Sequence, residues 1–233
     1  MSDILRELKI NEDQRVRANE LYSFANIRNS FTKGKSQLYG ALGEIVIIDY
    51  LNLPEKNYIG SKDYDILYND LRIDVKTKKV NSIPKGIYFN SIAVNSLVQD
   101  CDAYIFVRVN KEMTMAWLCG FITKKEFMTN GVFYNKGDVD PFKSSFSFKE
   151  SCMNLDINSC YNIKQIYDPL VDLKAVFSMR KINDFYEGYR DDYEVFYLPS
   201  SSKAILKHKK KVILNISLKK EEDFNVLYDK MHI

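Results

Sequence analysis

The sequence predicts an α/β fold, and three observations support this prediction. Residues 64–79, "YDILYNDLRIDVKTKK", alternate apolar and polar side chains in two short runs, which is the period of half-buried strands. Residues 40–51, "GALGEIVIIDYL", instead repeat apolar side chains at helical spacing. Further strand-like runs follow at 87–94, 102–109 and 115–122. Helices packed on a β-sheet are therefore expected.

Two helices are predicted before the first of these strands. The first covers 11–30 and is amphipathic, and the second covers 40–51. Glu44 lies in the middle of the apolar face of the second helix, where an acid is costly to bury unless it is paired or bound to a metal. Glu44 is therefore either a core glutamate paired with a lysine or arginine, or part of a functional site.

The next two strands are predicted to form a hairpin. Asn69 and Asp70 suit a two-residue turn between them. With this turn, Asp65 lies directly opposite Asp74 on the neighbouring strand. Two acids at such positions repel each other, so a cation is expected beside them.

The same face of the hairpin carries two lysines. Lys76 and Lys78 follow Asp74 at intervals of two, so all three project from one side of the strand. Mg²⁺ suits this face, because it takes carboxylate oxygens from one or two residues and completes its shell with water and substrate phosphates. The alternative is an ordinary solvated hairpin face. Asp63 shares the strand face of Asp65, so the first carboxylate is one of these two.

The remaining core elements follow in order. Residues 94–100 can form a short helix between strands, and a helix is expected after Thr123, because Thr123 and Glu126 have the spacing of a capping box. Residues 131–148 contain turn residues and aromatics and are expected to elaborate the sheet rather than form the site.

The order of these residues resembles a known family. A helix with Glu44, then Asp65, then Asp74 and Lys76 two residues apart, is similar to the core signature of the PD-(D/E)XK nuclease superfamily, which has the restriction-endonuclease-like fold. That family places the acids and the lysine on a central hairpin. One departure is that Tyr64, not proline, precedes Asp65.

The resemblance covers residues 30–130 and implies a central mixed β-sheet flanked by helices. It implies that Asp65 and Asp74 bind the metal and that Glu44 completes or supports the site. Lys76 would be the catalytic lysine. The expected cofactor is Mg²⁺, with Mn²⁺ as a substitute, and the expected reaction is metal-assisted hydrolysis of phosphodiester bonds.

Other enzyme classes lose support from the sequence. His208 and His232 are its two histidines and both lie far downstream, which disfavours a Ser-His-Asp hydrolase or a histidine-metal nuclease. Walker-type loops, dinucleotide-binding glycine motifs and the His-Glu-x-x-His motif do not occur. The four cysteines lack the paired spacing of a zinc site, so buried free thiols in a reducing cytoplasm are expected.

Length and composition describe an ordinary globular chain. The chain has 233 residues, of which 45% are hydrophobic and 28% are charged, and its formal net charge is +3. The longest aliphatic run is Ile45 to Ile48, so no membrane-spanning segment or signal peptide is expected. We expect a cytoplasmic protein with a core of substantial size.

Two basic segments are candidates for binding a phosphate backbone. Residues 203–220 hold seven lysines and no acid, although lysines are also common on sheet edges, where they prevent aggregation. A basic loop before the Glu44 helix is the second candidate, with a plain turn as the alternative. The predicted contacts in these segments are Lys33, Lys35, Lys207, Lys209, Lys210 and Lys211, in addition to Lys78.

The chain is predicted to contain a nuclease domain at 1–172 and a basic α+β extension at 173–233. The extension could bind substrate, form a homodimer or pack as an accessory layer. Its predicted elements are a helix at 173–189, strands at 193–198 and 211–217, and a last helix near 221–231.

Taken together, the residues and the resemblance predict a Mg²⁺-dependent nuclease, acting on DNA as an endonuclease. The preference for DNA comes from the resemblance alone. Two alternatives remain open at this point, an RNA nuclease and a non-cleaving nucleic-acid-binding or interaction protein on the same fold.

Overall fold

The computed structural model describes residues 4–27, 36–68, 71–167, 173–174, 176–218, 226–227 and 229–231. It is a mixed α/β structure that divides into two compact units, Met1–Ile163 and Lys164–Ile233. Within the described ranges, every helix is too short or too polar to cross a membrane.

The first unit contains helices α1 (Glu12–Ile27), α2 (Ser36–Tyr50) and α3 (Lys124–Asn130). Its strands are β1 (Arg6–Lys9), β2 (Ile66–Tyr68), β3 (Leu71–Val80), β4 (Phe89–Ala93), β5 (Ala103–Asn110), β6 (Met115–Thr123), β7 (Val132–Tyr134), β8 (Val139–Asp140), β9 (Lys143–Ser147) and β10 (Cys152–Asp156). In the structure, the elements that lie close to their predicted positions are α1, α2, α3, β5 and β6.

A five-stranded sheet is the centre of the first unit. Its strand order is β1-β6-β5-β3-β2. Strands β3 and β5 are parallel, whereas the other neighbours are antiparallel, so the sheet is mixed as expected. The edge strand β1 is not predicted by the sequence pattern, because its four residues include three charged ones and show no clear alternation.

The β2–β3 hairpin has the predicted register. Ile66 pairs with Ile73 and Tyr68 pairs with Leu71, while the turn residues 69–70 lie outside the described residues. Ile66 and Ile73 are fully buried, which gives the hairpin its predicted apolar side. The register is confirmed because one apolar face leaves little freedom for a slip by one residue.

Helix α2 packs on β3 at very close range. A Cβ atom added to Gly43 would overlap the Thr77 hydroxyl, so only glycine allows this approach. Leu42 and Ile47 on the same helix are fully buried. Close packing of α2 fixes the height of Glu44, the next residue, above the hairpin.

A second, three-stranded sheet has the order β4-β10-β7 and contributes Ile92 and Leu155 to a hydrophobic core of this unit. The sequence predicts β4 as a strand but cannot specify its partner, and the strand pairs with β10 instead of entering the central sheet. Helix α3 begins as predicted, since the Thr123 hydroxyl accepts a hydrogen bond from the Glu126 N–H at 3.2 Å. All four cysteines are buried free thiols, as expected.

The second unit is an antiparallel sheet with the order β11-β12-β13-β14-β15. Its strands are β11 (Ser178–Ile182), β12 (Phe185–Arg190), β13 (Tyr193–Leu198), β14 (Lys203–His208) and β15 (Lys211–Ser217). The predicted strands at 193–198 and 211–217 are confirmed, and most of the last predicted helix lies outside the described residues.

The predicted helix at 173–189 is wrong over most of its length. The β11–β12 hairpin occupies 178–190, with Asn183 at a positive φ of 52° in its turn. Gly188 lies inside β12, where an added Cβ would overlap Met179 on the paired strand. The apolar spacing of this stretch fits a helix as well as a strand, and pairing with β13 decides between them.

Candidate active site

Asp65 lies immediately before β2 and is tied to β3 through its backbone and its side chain. Its N–H donates to the Ile73 carbonyl at 2.9 Å, which continues the hairpin ladder by one residue. Its Oδ2 accepts a hydrogen bond from the Val75 N–H at 2.7 Å. The carboxyl of Asp65 therefore lies across the β3 backbone, next to Asp74.

Asp74 is buried on β3, with only 4% of its surface exposed. Its Oδ2 lies 2.5 Å from Lys76 Nζ, and its carboxyl also interacts directly with that of Asp65. The solvated hairpin face, the alternative left open by the sequence, does not describe this arrangement. A buried acid must be compensated by its neighbours, and Lys76 supplies part of that compensation.

Glu44 approaches the two aspartates from helix α2. Its Oε2 accepts a hydrogen bond from the Tyr58 hydroxyl at 3.0 Å. Its charge interacts with those of Asp65, Asp74 and Lys76. The structure thus brings together the four residues that the sequence predicts for the site.

Crowding of the carboxyls changes their protonation. The pKa of Glu44 is raised from 4.5 to about 7, chiefly by burial and also by the charge of Asp74, while the hydrogen bond from Tyr58 opposes the rise. Burial also raises the pKa of Asp65 well above its ordinary value, as do the charges of Glu44 and Asp74. The cluster therefore contains more negative charge than Lys76 alone neutralises.

Lys76 is held in place by a residue that the sequence does not indicate. Its Nζ donates to Gln99 Oε1 at 2.8 Å, and Gln99 Nε2 in turn donates to the Lys62 carbonyl at 2.6 Å. Gln99 bridges two segments and fixes where the ammonium group points. Gln99 and Tyr58 are missed by sequence reasoning because each contact joins residues that are distant along the chain.

Asp65, rather than Asp63, is the acid that interacts with Asp74 among the described residues. The backbone N–H of Asp63 donates to the Ser61 hydroxyl at 3.2 Å, in the bend before β2. Lys78 lies two residues beyond Lys76 on the same face of β3 and is exposed. The predicted contacts Lys33 and Lys35 lie outside the described residues.

The C-terminal lysines lie in the second unit, at and beside the turn between β14 and β15: Lys207, Lys209, Lys210 and Lys211. Lys207 Nζ lies 4.3 Å from the centre of the Phe196 ring, and Lys209 Nζ lies 3.9 Å from Asp192 Oδ2. Strand β15 is at the edge of its sheet. Lys211, on this edge strand, therefore also fits the alternative role of protecting the sheet edge from aggregation.

No group of three or more histidine, cysteine, aspartate or glutamate side chains in the described ranges has its donor atoms gathered for a metal ion. One oxygen of each of the three clustered acids faces a protein partner: Tyr58 for Glu44, the Val75 N–H for Asp65, and Lys76 for Asp74.

The chemistry of these donors nevertheless fits Mg²⁺. All three are hard carboxyl oxygens, and two of them hold their protons more tightly than usual because of burial and neighbouring negative charge. Binding a divalent cation would offset that charge and release those protons. No family model matches the chain, and no curated protein matches it at a significant level.

Proposed function

We propose that the chain is a metal-dependent nuclease that hydrolyses phosphodiester bonds, built on the restriction-endonuclease-like fold. One observation carries the proposal, namely that Glu44, Asp65 and Asp74 converge beside Lys76 although they come from helix α2, the residue before β2 and strand β3. Three partly or fully buried acids that repel each other destabilise a fold, and such a local cost is typical of a functional site. Holding Mg²⁺ against a phosphate is such a function.

The residues have separate roles in this proposal. Bound Mg²⁺ would lower the pKa of a coordinated water and place positive charge at the phosphate. Asp65 and Asp74 provide its oxygen ligands, and Glu44 completes or supports the site. The ammonium of Lys76, oriented by Gln99, offsets negative charge on the phosphate as the bond breaks.

DNA is the proposed substrate, and an RNA nuclease is the alternative within the same chemistry. A non-cleaving nucleic-acid-binding protein is favoured by two observations: Lys76 already pairs with Asp74, and the part of the chain that the structure describes holds no complete metal-binding group. The homodimer and the cytoplasmic location predicted from the sequence stay predictions.

A cleavage assay separates these functions. Supercoiled plasmid, single-stranded DNA and RNA are incubated with the protein in Mg²⁺, in Mn²⁺ and in chelator. We expect cutting of DNA that requires metal and that falls by at least about a hundredfold in Asp74→Asn and Lys76→Ala.

Two control substitutions change an acid on the same strand face as Asp65 and a remote lysine. Asp63→Asn changes an acid two residues from Asp65, and Lys111→Ala removes an exposed lysine; both variants should cut like wild type. Cutting that survives Asp74→Asn would exclude the proposed site. Binding of DNA with no cutting in either metal would favour the non-cleaving function.

A further inference from the structure

A cleft of about 490 Å³ lies in the first unit, between the end of β3 and residues 139–152. Lys78 and Arg108 line it, and the same two residues line a smaller hollow that also reaches Lys76. Because Lys76 and Lys78 are two residues apart on β3, their Cα atoms are separated by roughly 7 Å. The cleft therefore adjoins the proposed site for the scissile phosphate.

Arg108 is a buried cation to which the described residues offer no anionic partner. Only 4% of its surface is exposed, its Nε has no hydrogen-bond partner, and its Nη2 donates to the Phe89 carbonyl at 2.8 Å. Its guanidinium lies 5.5 Å from the centre of the Tyr88 ring. No carboxylate among the described residues pairs with it, so a ligand anion would supply the missing charge.

Lys78 places a second cation beside the first. It pairs in register with Arg108 across the parallel strands β3 and β5, and no described residue forms an ion pair with its Nζ. Desolvation by the side chains around it lowers the pKa of Lys78, and the charge of Arg108 lowers it further. Two like charges opposite each other destabilise a sheet, and an anion between them would reverse that effect.

Aromatic side chains line the same cleft. Phe142 and Phe146 expose 53% and 36% of their surface, and both line the cleft. The Phe142 ring packs edge-on against Phe89, with 5.1 Å between ring centres, which leaves much of its surface free. Exposed aromatic rings next to cations are the combination that binds unpaired bases of nucleic acids.

Two acids limit the positive charge of the cleft. Asp140 and Glu150 line it together with Lys78, Arg108 and Lys149. Asp140 Oδ1 accepts a hydrogen bond from the Phe142 N–H at 2.8 Å, and its charge acts on Lys78. With three basic and two acidic side chains, the cleft favours one phosphate over a polyphosphate or a densely charged duplex.

We propose that this cleft binds a nucleoside phosphate, with the phosphate between Lys78 and Arg108 and the base against Phe142. Its source is one nucleotide of a single-stranded nucleic acid, because the bases of a duplex are already stacked and paired. The choice of a strand as the source rests on the proposed function. The structure thus assigns residues 139–148, predicted to elaborate the sheet, to a binding site as well.

Binding is measured in chelator, where no cutting occurs, by fluorescence anisotropy with a labelled oligo-dT of about ten nucleotides. The variants are Lys78→Ala and Phe142→Ala, both at exposed positions. We expect Kd to rise about fivefold for Lys78→Ala and about tenfold for Phe142→Ala. The slope of log K against log salt should fall by about 0.7 for Lys78→Ala only.

Matched controls are Lys111→Ala and Phe133→Ala, which change an exposed lysine and a phenylalanine with 48% of its surface exposed, both outside the cleft. They should bind like wild type. Competition by AMP and by inorganic phosphate distinguishes a free nucleotide from a nucleic-acid strand as the ligand. If AMP binds as tightly as oligo-dT, and the same variants lose AMP binding, the ligand is a free nucleotide. Oligo-dT binding alone identifies the strand.

Normal binding of both oligo-dT and AMP by the two cleft variants would overturn the inference. That outcome is separate from failure of the proposed function. If the protein never cuts but its binding depends on Lys78 and Phe142, the proposed binding cleft stands and the proposed nuclease function fails. If the protein cuts and these variants bind normally, the proposed nuclease function stands and the proposed binding cleft fails.

Discussion

Glu44 determines how the site responds to pH in the absence of metal. Its pKa is raised from 4.5 to about 7, chiefly by burial. Between these values the folded chain keeps a proton that the unfolded chain has lost, so the free energy of unfolding falls as the pH rises from 4.5 to 7. In chelator we expect the midpoint of thermal unfolding to fall over this range, and to fall less in Glu44→Gln.

Tyr58 provides the matched control for this behaviour. Its hydroxyl lowers the pKa of Glu44, so Tyr58→Phe should move the loss of stability to higher pH. Calorimetry of the three proteins at half-unit pH steps makes the comparison. Superimposable profiles for wild type and Glu44→Gln would show that Glu44 does not titrate in this range.

Gln99 is expected to act by positioning Lys76. Gln99→Met keeps the length of the side chain but removes the oxygen that accepts from Lys76 Nζ. A displacement of about 1 Å at a catalytic group can reduce the rate about a hundredfold, so we expect kcat to fall 10- to 100-fold with little change in KM. Single-turnover cleavage measures this effect.

Gln99→Glu separates positioning from simple loss of structure, because it keeps an acceptor oxygen for Lys76. We expect Gln99→Glu to retain most of the activity that Gln99→Met loses. Equal losses in both variants would assign Gln99 to the fold alone.

At the level of elements, the contact between α2 and β3 delivers Glu44 to the hairpin. Gly43→Ala should destabilise the protein by about 1–3 kcal/mol, since its methyl group would overlap Thr77 in a packed interface. Gly40→Ala is the control, because no atom lies within 4 Å of its added Cβ and alanine favours a helix. Chemical denaturation measures both changes.

The double variant Gly43→Ala with Thr77→Ala identifies the cause of the loss. Thr77 Oγ1 is buried without a hydrogen-bond partner, so its removal is tolerable and leaves space for the new methyl group. We expect the double variant to recover much of the stability lost in Gly43→Ala. No recovery would place the strain elsewhere on α2.

Local patterns predict much of this fold, and long-range contacts explain what they miss. The Asp65–Asp74 pairing follows from the turn and from the alternation within one hairpin. By contrast, Gln99 reaches Lys76 across 23 residues and Tyr58 reaches Glu44 across 14, and no periodicity reports such distances. Arg108 likewise reads as an ordinary strand residue until its register with Lys78 is known.

At the scale of the whole molecule, the basic residues predicted to bind phosphate lie in two different units. Lys78 and Arg108 lie in the first unit and line the cleft, whereas Lys207, Lys209 and Lys210 lie in the second. The net charge of +3 is small, so any attraction to a phosphate backbone depends on such local groups. The lysines of the second unit can be tested without touching the site.

Replacing Lys209, Lys210 and Lys211 together by alanine tests whether the β14–β15 turn contacts nucleic acid. Each lysine that neutralises a phosphate of duplex DNA contributes about 0.9 to the salt slope, so we expect a fall of up to about 2.7, equal for all sequences. Lys111→Ala is the control: it removes an exposed lysine of the first unit and should leave the slope unchanged. A triple variant with the wild-type slope would assign these lysines to protecting the edge of the sheet.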